Sequence, residues 1–268
     1  MKATSNTILL GIALLCLSTL VWGDAYLVDP VVQKAKPRET VDAGRIMPGE
    51  SVEIIFNKNS GYGKNVDWTQ ARIQNTHNEE GFITQDSGVG TDSLITKIQT
   101  NLLTPEGVYD FPLEMIGNND ELLNETYILR VTVQKNLVNA SLIANQLSGG
   151  VNEPSTFTVL LVNDSSASTK IEVIPALPQI WAKSQIVNMT PHSFKEVSLN
   201  VTPRFAGPKT FDIRITKENS ETISNLKGTI VANPTLKDRY GAGLYGFPFF
   251  TISLVANYLA NAFVSFLL

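Results

Sequence analysis

Between residues 24 and 243, apolar side chains recur at every second position in short runs. Residues 51–56 (SVEIIF), 127–133 (YILRVTV), 157–162 (FTVLLV), 170–174 (KIEVI), 197–201 (VSLNV) and 211–215 (FDIRI) are rich in β-branched residues and mostly alternate. Successive side chains of a strand point to opposite faces, so each run predicts a strand with one face buried. Turn-forming clusters separate the runs, at residues 57–64, 86–92, 117–120, 148–154 and 163–168. No window of a dozen residues before position 236 keeps a helical period. Strands spaced by roughly 8–12 residues with no helices between them predict antiparallel sheets packed as sandwiches.

The two ends depart from this pattern. Residues 8–21 (ILLGIALLCLSTLV) are an apolar run preceded by Lys2 and followed by Val21-Trp22-Gly23. This is the plan of a secretory signal, with cleavage expected after Gly23 and, as second choice, after Ala25. Cys16 is preceded by Leu15 rather than by a small residue, which argues against a lipidated signal. Residues 244–268 (LYGFPFFTISLVANYLANAFVSFLL) contain no charge. About 20 helical residues cross a bilayer, so this stretch predicts a C-terminal membrane helix. Lys237, Asp238 and Arg239 precede it, and Tyr240, Tyr245, Phe247, Phe249 and Phe250 could form an interfacial belt. Small residues Gly241-Ala242-Gly243 also suit a signal for a lipid anchor, but the polar spacer such signals need is missing. A retained helix is therefore the preferred reading.

An internal repeat divides the middle. Pro48-Gly49-Glu50-Ser51-Val52-Glu53-Ile54-Ile55-Phe56 answers Glu153-Pro154-Ser155-Thr156-Phe157-Thr158-Val159-Leu160-Leu161, and both continue into Asn-containing turns. Thr104-Pro105-Glu106-Gly107 leads into Tyr109–Met115 much as Thr202-Pro203 and Gly207 lead into Thr210–Ile215. The separation of about 100 residues matches one sandwich domain. The expected organisation is a signal peptide (1–23), a first sandwich (24–136), a second (137–235) and an anchor helix (236–268). Val201-Thr202-Pro203, Ala206-Gly207 and Phe211-x-Ile213-x-Ile215 resemble the immunoglobulin-like modules of archaeal and bacterial surface-layer and envelope proteins. That resemblance implies an all-β fold of two tandem immunoglobulin-like sandwiches at the cell surface. It implies spacer, adhesion or assembly roles and carries over no functional residue.

Composition narrows the function. The 268 residues carry 21 basic and 25 acidic side chains, a net charge of −4, which excludes a strongly cationic nucleic-acid binder. One Cys and two His supply neither a disulfide framework nor a zinc site. Asn124, Asn139, Asn163, Asn188 and Asn200 each head an N-x-[ST] sequon, a potential glycan acceptor in an exported chain. Asn163, in a turn, ranks first, and Asn200 qualifies only if it faces outward from its strand. Gly61-Tyr62-Gly63-Lys64-Asn65 lacks the Ser or Thr of a P-loop, and Tyr62 and Trp68 read as an exposed hairpin tip. Asp86, Asp92, Asp120 and Glu121 could line a calcium site between loops but lack the calcium-loop pattern, so solvated turn acids are expected. His77 and His192 have no nucleophile motif beside them.

The resulting expectation is a non-enzymatic, membrane-anchored surface protein with no cofactor and no metal, its domains on the exported side. The lipid bilayer is its first partner. Other envelope proteins or a second copy could join it through the face of the anchor helix that carries Asn257 and Asn261, four residues apart. An accessory subunit of a membrane complex is the alternative, and an envelope enzyme with a loop-built acidic site is the remote one.

Overall fold

The computed structural model of the protein describes residues 23–61, 66–88, 93–118, 124–217, 222–234 and 252–267. All but the last residue of the expected signal falls outside that set. In chain order the first nine strands are β1 (Ala25–Asp29), β2 (Gln33–Ala35), β3 (Thr40–Ile46), β4 (Ser51–Phe56), β5 (Trp68–Ile73), β6 (Phe82–Gln85), β7 (Leu94–Thr100), β8 (Gly107–Gly117) and β9 (Glu125–Val133). After them come β10 (Val138–Leu142), β11 (Gln146–Gly150), β12 (Ser155–Asn163), β13 (Thr169–Pro175), β14 (Gln185–Met189), β15 (Ser193–Val201), β16 (Gly207–Lys217), β17 (Thr222–Asn233) and a helix, α1 (Ile252–Leu267). The chain divides into two compact units. Unit 1 is Met1–Asn139 with Leu161–Ile171 and Asn188–Lys195; unit 2 is Ala140–Leu160, Glu172–Val187 and Glu196–Leu268.

In unit 1 a five-stranded sheet, β2-β1-β4-β7-β6, faces a four-stranded sheet, β3-β9-β8-β5. Alternation explains the packing. Val52, Ile54 and Phe56 of β4 and Leu94 and Ile98 of β7 meet Phe111, Leu113 and Met115 of β8 and Tyr127, Leu129 and Val131 of β9 in one buried cluster. Each such side chain contributes roughly 1.5–3 kcal/mol through burial. The chain start serves both sheets: β1 pairs antiparallel with β4, then β3 crosses to pair in parallel with β9. The crossing is bought with a glycine. Gly44 (φ +86°) sits at the register shift of β3, and a Cβ there would lie 2.0 Å from Ser166 Oγ. In the letters of immunoglobulin domains, β1-β4-β7-β6 is the ABED sheet and β5-β8-β9 is CFG.

The later strands repeat the plan. One sheet is β10-β12-β15 and the other β11-β17-β16-β13-β14. Strand β11 pairs in parallel with β17, as β3 does with β9. The strands of the sequence repeat, β4 with β12 and β8 with β16, thus hold equivalent places. The exception is the strand after C. Strand β6 pairs with β7, whereas β14 lies beside β13. In unit 2 the sheets meet through Phe157 and Phe211, whose ring centroids are 5.4 Å apart at 90°. Gly228 is paired opposite Phe211, where a Cβ would come within 3.0 Å of that ring.

Two expectations need correction, and a third is not shown by the described residues. Residues 148–154 read as a turn, yet Ser148, Gly149 and Gly150 belong to β11, because pairing with β17 uses backbone groups that glycine supplies as well as any residue. Trp68 does not sit on an exposed tip. It opens strand C fully buried and donates from Nε1 to the Asp24 carbonyl at 3.0 Å; Tyr62 and Lys64 lie outside the described residues. Finally, α1 has 16 residues, about 24 Å at 1.5 Å each, less than the ~30 Å hydrocarbon core. No helix among the described residues is long and apolar enough to cross a membrane.

Two buried donors hold the start of the first strand. Beside the Trp68 bond, the Tyr127 hydroxyl donates to the Gly23 carbonyl at 2.8 Å, and Asp24 N–H donates to Ser60 O at 2.8 Å. Burial pushes the Tyr127 phenol well above its ordinary range. Removing the hydroxyl leaves a buried carbonyl unpaired, which costs about 1–3 kcal/mol. In the unprocessed chain, which retains Gly23, Tyr127→Phe should therefore lower unfolding stability by that amount in urea titration. Val32→Thr, at an exposed position, should stay within about 0.5 kcal/mol. An unchanged midpoint for Tyr127→Phe would refute the clamp.

Candidate functional site

The five sequons fall into two classes. Asn124, Asn139, Asn188 and Asn200 are exposed, and Asn200 does face outward, its Oδ1 accepting from Thr156 Oγ1 at 2.8 Å. Asn163, ranked first from sequence, is fully buried. Its Nδ2 donates to Ala167 O (3.0 Å) and Thr190 O (2.8 Å), and its Oδ1 accepts from Ser165 N–H at 3.1 Å. This is an asparagine folding its own turn. A sugar on Nδ2 would replace one of the two donating hydrogens, so one of these bonds would be lost, and the buried side chain leaves no space for it in the folded unit.

The loop acids do not converge. Asp86 caps β5, accepting from Ile73 N–H at 2.9 Å, with Arg72 Nε at 3.7 Å. Asp92, Asp120 and Glu121 lie outside the described residues. Among the described residues no three His, Cys, Asp or Glu side chains group as metal ligands. His77 packs edge-on against Tyr109 and Phe111 and donates from Nε2 to the Asp110 carbonyl at 3.2 Å. Tyr109 in turn donates to Pro105 O at 3.0 Å, the tyrosine corner of immunoglobulin folds. Beside it the Asp110 carboxylate takes two bonds from Arg130 at 2.8 and 2.9 Å, which hold its pKa below the ordinary carboxylate value.

Within unit 1 the fold assembles a polar cluster that sequence spacing conceals. Ser166 Oγ lies 3.1 Å from His192 Nε2 and accepts from Arg45 N–H at 3.1 Å. Neighbouring Ser165 donates to the Glu50 carboxylate at 2.7 Å, and Glu50 also accepts from Met47 N–H at 2.9 Å. A serine beside an imidazole is half of a nucleophile–base arrangement. Here Ser166 is only 3% exposed, and its hydroxyl also binds the β3 backbone. The geometry closes a turn against β3.

Unit 2 carries a different surface, which periodicity did not flag. Phe205 (74% exposed) and Ile180 (69%) project from the β15–β16 and β13–β14 loops. Trp181 lies under Phe205, centroids 6.1 Å apart, and its carbonyl accepts from Thr202 N–H at 2.7 Å, tying the two loops. Pro178, Trp181, Phe205 and Lys209 line a groove of about 300 Å³. On α1, Asn257 and Asn261 are exposed, and so are Tyr258, Leu259, Phe263, Val264 and Phe266.

No family model and no curated protein matches the chain. Among solved structures, a chimeric titin Z1Z2 is similar over 80% of this chain and 98% of its own, at 7% identity and a TM-score of 0.41. Fibronectin(III)-like modules of Clostridium thermocellum CbhA cover 78% and 94% at 10% identity and a TM-score of 0.28. The Yersinia pseudotuberculosis adhesin InvE covers 77% and 58% at 11% and 0.27. At such scores the description of the fold rests on the strand pairing above.

The sequon geometry makes a direct prediction. Glycopeptide mass spectrometry of native material should find sugar on one or more of Asn124, Asn139, Asn188 and Asn200 and none on Asn163. Bare peptides at all four exposed sites would reject glycosylation, and sugar on Asn163 would contradict the buried turn.

Proposed function

We propose that the protein is a membrane-anchored surface protein whose immunoglobulin-like sandwiches serve as structural or adhesive modules rather than as a catalytic scaffold. The observation that carries this reading is α1. Five large apolar side chains on it are 52–71% exposed, and it carries no acid in its first turn and no base in its last. Apolar surface on that scale marks a partner phase or protein. The 25 uncharged residues 244–268 supply the length that α1 alone lacks. The apolar run of residues 8–21 supports export, and sandwiches with filled cores suit spacer, adhesion or surface-layer assembly roles.

Carbonate washing of native membranes tests the anchor. The full chain should stay in the pellet, and a chain ended before residue 244 should be released. Release of the full chain would overturn the reading.

Within the bilayer, Asn257 and Asn261 are proposed as the contact face for a second copy or a larger membrane complex. An amide facing lipid leaves polar groups unpaired, and interhelical bonds gain about 0.6 kcal/mol on average. Replacing both with Leu should weaken chemical crosslinking in membranes by a few-fold. Undiminished crosslinking would remove this contact face.

A further inference from the structure

We infer that the end of unit 2 bearing Phe205 and Ile180 docks onto an anionic bilayer surface; this deepens the anchoring reading and rests on it.

The strand pairing locates that end. Gly207, the first residue of β16, pairs with Ala232, and Val151 N–H donates to Asn233 O at 3.0 Å. The β15–β16 loop with Phe205 therefore lies beside the last residues of β17. From there ten residues, 234–243, lead to the uncharged stretch 244–268 proposed as the anchor. An extended chain covers at most about 3.3–3.6 Å per residue, so this connection reaches on the order of 35 Å at most and keeps this end of unit 2 near the anchor.

The chemistry of that end fits the surface to which the anchor leads. Ile180 and Phe205 are bulky apolar side chains left in water, while Trp181 fills the space beneath Phe205. Around them stand the exposed cations Lys183, Arg204 and Lys209. Arg204 is held in place by an Nη1 bond to Asn152 Oδ1 at 2.9 Å. The described residues of these two loops carry no acid, and the neighbouring β11–β12 connection carries Glu153, whose carboxylate accepts from Gly150 N–H at 3.2 Å. Three cations against one carboxylate is the reverse of the chain's overall charge of −4. Apolar side chains flanked by cations insert at the headgroup boundary while the cations meet anionic lipid.

The test uses the full chain reconstituted in phosphatidylcholine vesicles, with and without phosphatidylglycerol. An environment-sensitive dye is placed by Phe205→Cys in a Cys16→Ser background, with Leu103→Cys, on an 88% exposed loop residue of unit 1, as reference. With phosphatidylglycerol present, the dye at 205 should be shielded from aqueous iodide and quenched by lipid-borne quenchers, and the dye at 103 should remain open to iodide. High salt should reverse the difference. Each cation lost among Lys183→Gln, Arg204→Gln and Lys209→Gln should lower the docked fraction relative to the undocked by about fivefold. Equal iodide access at 205 and 103 overturns the proposal, as does shielding at 205 without lipid quenching, which would place a protein there. Carbonate extraction of the same vesicles reads the anchor separately. Released chain whose dye had been lipid-quenched refutes the anchor and retains the docking face. Retained chain with an open dye does the opposite, and a chain that never sediments with vesicles refutes both.

Discussion

With one cysteine in 268 residues, the two sheets of each sandwich have no covalent tie, and what joins them is the interdigitation of alternate side chains from facing strands. This makes register the governing constraint. A slip by one residue would turn Val52, Ile54 and Phe56 outward and bring Ser51, Glu53 and Ile55 into the core. Buried trunk residues take over the stapling role that a disulfide fills in antibody domains. In unit 1 Trp68 is fully buried at the start of β5, and in unit 2 the Phe157–Phe211 pair bridges the sheets.

The same constraint decides what the polar residues are for. A strand that switches sheets leaves backbone groups at its crossing, and side chains must answer them. At the β3 crossing Asp42 accepts from Gly44 N–H at 2.8 Å and Ser166 from Arg45 N–H, and at the end of β5 Asp86 accepts from Ile73 N–H. Asn163 satisfies three partners at once. Residues that look chemically equipped in the sequence are thus largely engaged in closing turns. Tyr109 and Lys209 show the reverse case. They hold the same position two residues into β8 and β16, but one makes the tyrosine corner and the other is left exposed at a groove.

Function in such a molecule resides in what the cores leave outside. The outward faces of the strands are mostly polar, so the apolar exceptions carry meaning. Some are scattered over both units, at Val32, Leu103 and Phe194 for example, but five stand together on α1, and on the two tied loops of unit 2 Ile180 and Phe205 are accompanied by cations that the chain as a whole does not favour. The proposed structural or adhesive role, with its proposed bilayer anchor, would use both features.

The sequence by itself determined the class of fold, because alternation is a local property. Residues 51–56 form β4 as their pattern predicts, and the runs at 127–133, 157–162 and 211–215 lie inside β9, β12 and β16. It also showed the uncharged C-terminal stretch, since a run without charge needs no partner to be recognised. Weakly patterned pieces were not legible: β11 contains Ser148-Gly149-Gly150 and exists because β17 offers its edge. Nor could spacing show that Asn163 is buried while Asn200 faces out, that Trp68 is core, or that Phe205 comes to rest over Trp181. Burial and proximity between residues distant in the chain depend on which strands pair and in what register. Only the tertiary structure decides that, because pairing energy is gained between segments that local sequence cannot see.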